Sequence, residues 1–227
     1  MLRSKNMYTC FSALLSLMII RCAITPPSSP VSPAGTSFEP RETITWKTHT
    51  SSLGFSIDLP SYYLVLSREE LIKNPDLFEG AFTILERGYL KTATKTFMEQ
   101  LKTHLDSGNV EFYYNQHHRG VLVNVTKAIG EIPTTYSGLL TYCGAILPDY
   151  EKSTGIKTTL HQCQFRDVAG VNAVYMVTED LGFDMFAQYL VQTSPSIQLC
   201  FTTSAENQIF ETPKKELDEI MKSLKLR

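Results

Sequence analysis

The chain has no Gly-x-Ser-x-Gly elbow, no phosphate-binding glycine loop and no dinucleotide fingerprint. Those absences remove the local signatures of common hydrolases, nucleotide triphosphatases and nicotinamide enzymes. A basic excess is missing too. The formal charge of the 227 residues is −2. The first 22 residues hold Arg3, Lys5 and Arg21 and no acid; without them Lys+Arg falls from 21 to 18 against 23 acids, a net −5. A mildly acidic body speaks against a nucleic-acid partner, which needs a basic face to displace counterions. Spaced histidine pairs of the zinc-enzyme kind are also lacking. His117 and His118 are adjacent, so their side chains diverge on a strand or a helix, and NQHHRG reads as a solvated turn. No metal and no cofactor is expected.

What is present is an ordered N-terminal sequence. Arg3 and Lys5 precede an uncharged stretch, Asn6 to Ile20, whose apolar heart is Phe11 to Ile20. It is shorter than the roughly 20 residues that cross a bilayer core, and has the length and flanks of a signal-peptide core. Cys22 follows directly, where a lipoprotein keeps its lipidated cysteine, although Ile19-Ile20-Arg21 replaces the usual small residues. Residues 1–22 are therefore read as a signal peptide or short membrane anchor, with Cys22 as the candidate lipidation site. Residues 23–41 are a Pro/Ser-rich tether: Pro26, Pro27, Pro30 and Pro33 favour extended backbone and no apolar periodicity appears. Residues 42–227 form the globular part, with 43% hydrophobic and 19% charged residues in the whole chain to build a core.

Two helices are predicted. Leu90 to Asp106 places Leu90, Ala93, Phe97, Met98, Leu101 and Leu105 on one face, with Gly108 as its stop. Near the C-terminus, Thr212 as cap and Pro213 at the first position precede Leu217, Ile220, Met221 and Leu224. Most other segments read as strands: Thr43–Lys47, Phe55–Leu59, Ala81–Leu85, Val121–Val125, Leu139–Leu147, Ile156–Phe165, Ala173–Thr178, Phe186–Gln192 and Ile197–Thr203. Consecutive strands with few helices imply an α+β fold with an antiparallel sheet flanked by helices.

Cys143, Cys163 and Cys200 remain after the leader. If Leu139 to Phe165 is a hairpin symmetric about Ser153, Cys143 and Cys163 face each other, and an exported protein meets oxidising conditions. They are the candidate disulfide; two free, half-buried thiols are the alternative. Cys200, between Leu199 and Phe201, reads as a core thiol. His161 shares a strand face with Cys163, a weak hint of a nucleophile pair with no evident oxyanion hole. Glu69-Glu70 and Glu179-Asp180 read as a solvated helix start and a turn. Asn124-Val125-Thr126 matches a glycosylation acceptor but falls in a strand.

Leu53-Gly-Phe-Ser-Ile-Asp-Leu-Pro60, followed by Tyr62-Tyr63, resembles the opening "GF-x-φ-x-x-P" strand of PsbP-like proteins. Asp167-Val-Ala-Gly170 with Ala173-Val-Tyr175 is similar to that family's "φ-x-G-x-x-A" strand start, and Met221-Lys-Ser-Leu224 to its terminal "φ-x-S-φ". The resemblance spans about residues 42–227 in element order. It implies an α/β/α sandwich and binding or assembly roles in exported, often membrane-tethered proteins, with no shared catalytic residues to carry over. The expected function is a non-catalytic envelope module, bound to a membrane through its leader or lipid and to an unidentified envelope protein. A small-ligand carrier with a pocket lined by Phe97 and Leu101, or a hydrolase using Cys163 or a carboxylate pair, are the alternatives.

Overall fold

In the computed structural model, residues 44–67, 69, 103, 106–117, 122–154, 157–180 and 184–227 are described. The predicted helix Leu90–Asp106 and strand Ala81–Leu85 lie almost wholly outside them, as do residues 1–43, including Cys22.

Among the described residues, ten strands and two α-helices are formed. β1 (Trp46–Ser51), β2 (Phe55–Pro60) and β10 (Lys225–Leu226) make a three-stranded sheet ordered β1-β2-β10. β3 (Tyr63–Leu66), β4 (Val110–Asn115), β5 (Leu122–Ile129), β6 (Thr158–Val168), β7 (Val171–Asp180), β8 (Asp184–Ser194) and β9 (Ile197–Glu206) make a seven-stranded sheet ordered β3-β4-β5-β9-β8-β7-β6. Every pairing is antiparallel.

The strands form where side chains alternate between the two sheet faces. Val123 and Val125 on β5 meet Thr203 and Phe201 on β9, which in turn meet Ala187 and Tyr189 on β8. These face α2 (Glu211–Lys222) and the three-stranded sheet, in a core with Phe55, Ile57, Leu217 and Ile220. The intervening residues Val174, Met176, Leu190 and Cys200 face α1 (Tyr136–Thr154) and pack on Leu139, Cys143 and Ile146. The fold is α+β, an antiparallel sheet between helical layers, with one layer shared between α2 and a small sheet.

Two expectations are corrected. Leu139–Leu147 is not a strand but the body of α1, so there is no hairpin about Ser153. Buried Leu139, Cys143, Ile146 and Tyr150 recur at helical spacing, and Thr135 caps the start, its Oγ1 accepting from the Gly138 N–H at 3.1 Å. The helix was masked because its outward positions, Leu140, Thr141, Gly144 and Ala145, are uncharged, leaving no polar stripe to reveal the period. In α2 the cap is Phe210, not Thr212. A 3-10 turn, Asn207–Ile209, leads straight into the helix, so Pro213 falls within the first turn, where its missing donor is still harmless.

The pairings also give the molecule two ends. β1 and β3 begin, and β2, β4 and β9 finish, at the end where the chain enters at Ile44. The opposite end carries the finish of β5, the start of α1 and the hairpin between β6 and β7.

Candidate functional site

A cleft that opens to solvent lies between β6 and α2, with a volume of about 310 Å³. Arg166, Tyr189, Lys215 and Asp218 line it. Tyr175 and Tyr189 are direct cross-strand partners on β7 and β8, ring centroids 4.7 Å apart. Arg166, from edge strand β6, lays its guanidinium 3.5 Å over the Tyr175 ring. Its Nη1 donates to Tyr189 Oη at 2.7 Å and to Asp218 Oδ1 at 3.2 Å, while Tyr189 O–H donates to the same carboxylate oxygen at 2.5 Å. Stacking and two hydrogen bonds thus hold the arginine in one pose.

Burial, then the hydrogen bond and charge of Asp218, raise the Tyr189 phenol well above its ordinary value. Tyr175 is pushed up to about 12, by burial first and the Asp218 charge second. Burial works to lower the Arg166 value, but the Tyr189 hydrogen bond and the surrounding negative groups win and raise it. Near neutral pH the site therefore presents a fixed cation and protonated phenols. Such groups donate hydrogen bonds.

Two further clusters bind layers together. Glu111 on β4 is 2% exposed and accepts from Ser51 Oγ at 2.8 Å, Tyr113 O–H at 2.7 Å and His49 Nε2 at 3.0 Å. Burial pushes its carboxyl up, yet the hydrogen bonds from His49, Tyr113 and Ser51 hold it below the usual value. Ser51 and His49 both point at the carboxylate and not at each other, so they make no nucleophile–base pair. On α2, Glu216 accepts from Tyr62 and Tyr63 hydroxyls, each at 2.7 Å, and from Asn115 Nδ2 at 3.1 Å. His117 stacks on Tyr62 at 4.3 Å.

Of the residues singled out in the sequence, Cys143 and Cys163 are joined as a disulfide, with Cα atoms 6.3 Å apart, tying α1 to edge strand β6. The bond occupies the Cys163 sulfur. His161 sits at the irregularity in β6 and pairs with Glu179 at 2.6 Å, exposed to solvent. Asp180 accepts from Tyr150 O–H at 3.2 Å. Cys200 is a buried free thiol. Asn124 and Thr126 are buried on a central strand. Cys22, Phe97, Leu101, His104 and His118 lie outside the described residues, among which no cluster of three or more His, Cys, Asp or Glu is placed to hold a metal. Nor, among them, is any helix long and apolar enough to cross a membrane.

Sequence reasoning named neither the Arg166 cleft nor the Glu111 cluster. Arg166 and Asp218 are separated by 52 positions, and His49 and Glu111 by 62. The signal that existed was a lone acid in the apolar strand Val110–Asn115.

The layers, an antiparallel α+β sandwich, are similar to solved structures of the PsbP-like fold at low identity. Cyanobacterial PsbP from Synechocystis sp. PCC 6803 is similar over 85% of this chain and 98% of its own, with 12% identity and a TM-score of 0.48. The Ran-binding protein Mog1p of Saccharomyces cerevisiae is similar over 81% and 96%, with 8% identity and a TM-score of 0.44. LpqN, involved in cell envelope biogenesis of Mycobacterium tuberculosis, is similar over 81% and 91%, with 10% identity and a TM-score of 0.40. No protein-family model matches the sequence, and no curated protein does.

Proposed function

We propose that the chain is an exported, membrane-tethered module of the cell envelope that binds another protein, or supports its assembly, without catalysis. In this reading residues 1–22 are the signal peptide or short anchor, Cys22 is the lipidation site, 23–41 is the tether and 42–227 is the binding domain.

The observation that carries it is the polarity of the domain. The tether joins at Ile44, while Ile129, Tyr136 and Leu140 are 61, 71 and 58% exposed at the opposite end. Exposed large apolar side chains at the end away from the tether offer a contact surface. The Arg166 cleft opens beside the β6–β7 hairpin at that same end and supplies a rigid cation for a polar rim. A tether on one side and a sticky surface on the other suit a module that reaches away from a membrane.

Radiolabelled fatty-acid incorporation that depends on Cys22, with the protein in the membrane fraction, tests the anchoring half. Recovery in the cytoplasm with an intact N-terminus would sink it. A photo-crosslinking residue at position 140 tests the binding half: it should capture an envelope protein, and one at position 208 should not. Equal capture from both positions refutes the assignment of the surface.

A further inference from the structure

The entry end has an exposed apolar group of its own. Trp46, the single tryptophan of the chain, is 42% exposed and Ile44 is 53% exposed. Ser61 N–H donates to the Thr45 carbonyl at 2.8 Å, which extends the β1–β2 pairing just past Trp46. On such extended backbone, residues two apart face the same way, so Ile44 and Trp46 present one surface. Ile209, 47% exposed, lies just past the finish of β9, at the same end. Ile44 and Trp46 lie within the first three described residues, directly where the N-terminal segment joins the domain.

We propose that this end, led by Trp46 and Ile44, rests in the headgroup region of the bilayer to which the leader attaches the chain. The inference builds on the tethering described above. The N-terminal segment joins the domain at this end. A chain the length of residues 23–43 would reach about 25 Å as a random coil and about 65 Å at full polyproline extension. The entry end is thus the part of the domain held nearest the bilayer, at high local concentration. Indole is suited to that zone: its ring sits among apolar carbons while its N–H stays wet.

The charges nearby define the kind of contact. Glu206 and Glu211 are exposed at this end, and Glu211 is paired with Lys214 at 2.7 Å. With these acids beside the exposed Lys47, this end has no excess of cations to draw it to anionic lipid. The contact is apolar, and it requires neither anionic headgroups nor low salt.

The single tryptophan makes the test direct. The full chain is reconstituted with phosphatidylcholine vesicles, and co-sedimentation and Trp46 emission are followed together. The expected result is co-sedimentation, a blue shift, protection from aqueous iodide and quenching by lipids brominated high in the acyl chain, all unchanged in high salt. Ile44→Ser should weaken the brominated-lipid quenching while the chain still sediments. Sedimentation with an unshifted, iodide-accessible Trp46 overturns this contact and leaves the tether standing. Failure to sediment overturns both. A blue shift that grows with protein concentration without vesicles assigns the surface to a second copy, which also overturns the bilayer contact.

Discussion

On the face of the seven-stranded sheet that meets α2 and the small sheet, Phe55, Tyr113, Tyr175 and Phe201 are fully buried in one continuous core. Carboxylates reach that face, but each is held: Glu111 by Ser51, Tyr113 and His49, Glu216 by Tyr62 and Tyr63, Asp218 by Arg166 and Tyr189. On the opposite face α1 rests on a smaller set of side chains, Val174, Met176, Leu190 and Cys200, and is fastened by Cys143–Cys163. One layer is held by packing and directional polar bonds, the other by modest packing plus a covalent tie. Where a helix buries little and binds an edge strand, a cross-link substitutes for missing area.

The comparison breaks first at the aromatic face. Phe201→Ala should cost about 4 kcal/mol, because it removes a fully buried ring in edge-to-face contact with Phe55 at 5.1 Å. Chemical denaturation measures it. A loss under 1 kcal/mol would mean that face is not the main source of stability.

Next is the covalent side. Replacing Cys143 and Cys163 together by serine opens a loop of 20 residues and should cost about 3 kcal/mol. The loss should be local: hydrogen exchange ought to rise in α1 and β6 while β5 and β9 stay protected. Uniform acceleration through both faces would contradict the division drawn here. Mass spectrometry under non-reducing conditions reports the bond itself.

A smaller effect sharpens the polar part. Glu111→Gln keeps the shape but removes the charge that Ser51, Ser52, Tyr113 and His49 converge on, at about 2 kcal/mol. The sign with pH follows from the lowered value. The folded carboxyl titrates below its unfolded counterpart near 4.5. Its contribution is therefore complete above that pH and is lost as pH falls through the folded value. The wild type should lose stability faster than Glu111→Gln on acidification below about pH 4.5. Parallel pH curves would remove Glu111 from the account.

How much of this was legible follows the same division. Strands announce themselves by alternation or by short apolar runs: Phe55, Ile57 and Leu59 alternate with polar partners, and β5 and β7–β9 lie close to where they were expected. Helix α2, polar outside and apolar within, was legible except at its cap. Helix α1 was not, since Leu140, Gly144 and Ala145 face solvent without a charge among them. Cys143 and Cys163 were paired on a hairpin that does not exist; helix on strand brings them together instead. The Arg166 cleft was illegible for a different reason. Arg166, Tyr175, Tyr189 and Asp218 come from β6, β7, β8 and α2, and no local spacing encodes a contact that only strand order and register create.

The smallest expected effect lies in the hairpin between β6 and β7, beside the cleft. The two-residue turn Ala169-Gly170 has φ of 51° and 82°, so both residues occupy the left-handed region, as the tight antiparallel turn requires. Glycine accepts that conformation freely; alanine meets its own Cβ against the backbone, at a cost of about 1 kcal/mol. Ala169→Gly should therefore stabilise the domain, by somewhat less than that because glycine also loosens the unfolded chain. The gain should appear in the midpoint of chemical denaturation, with the slope unchanged. Ala169→Val should move it the other way, since a β-branched side chain fits the left-handed region worst. If glycine brings no gain, the strain is relieved elsewhere in the hairpin. If it brings a gain together with weaker capture of the partner at position 140, the strained turn and the exposed end act as one surface.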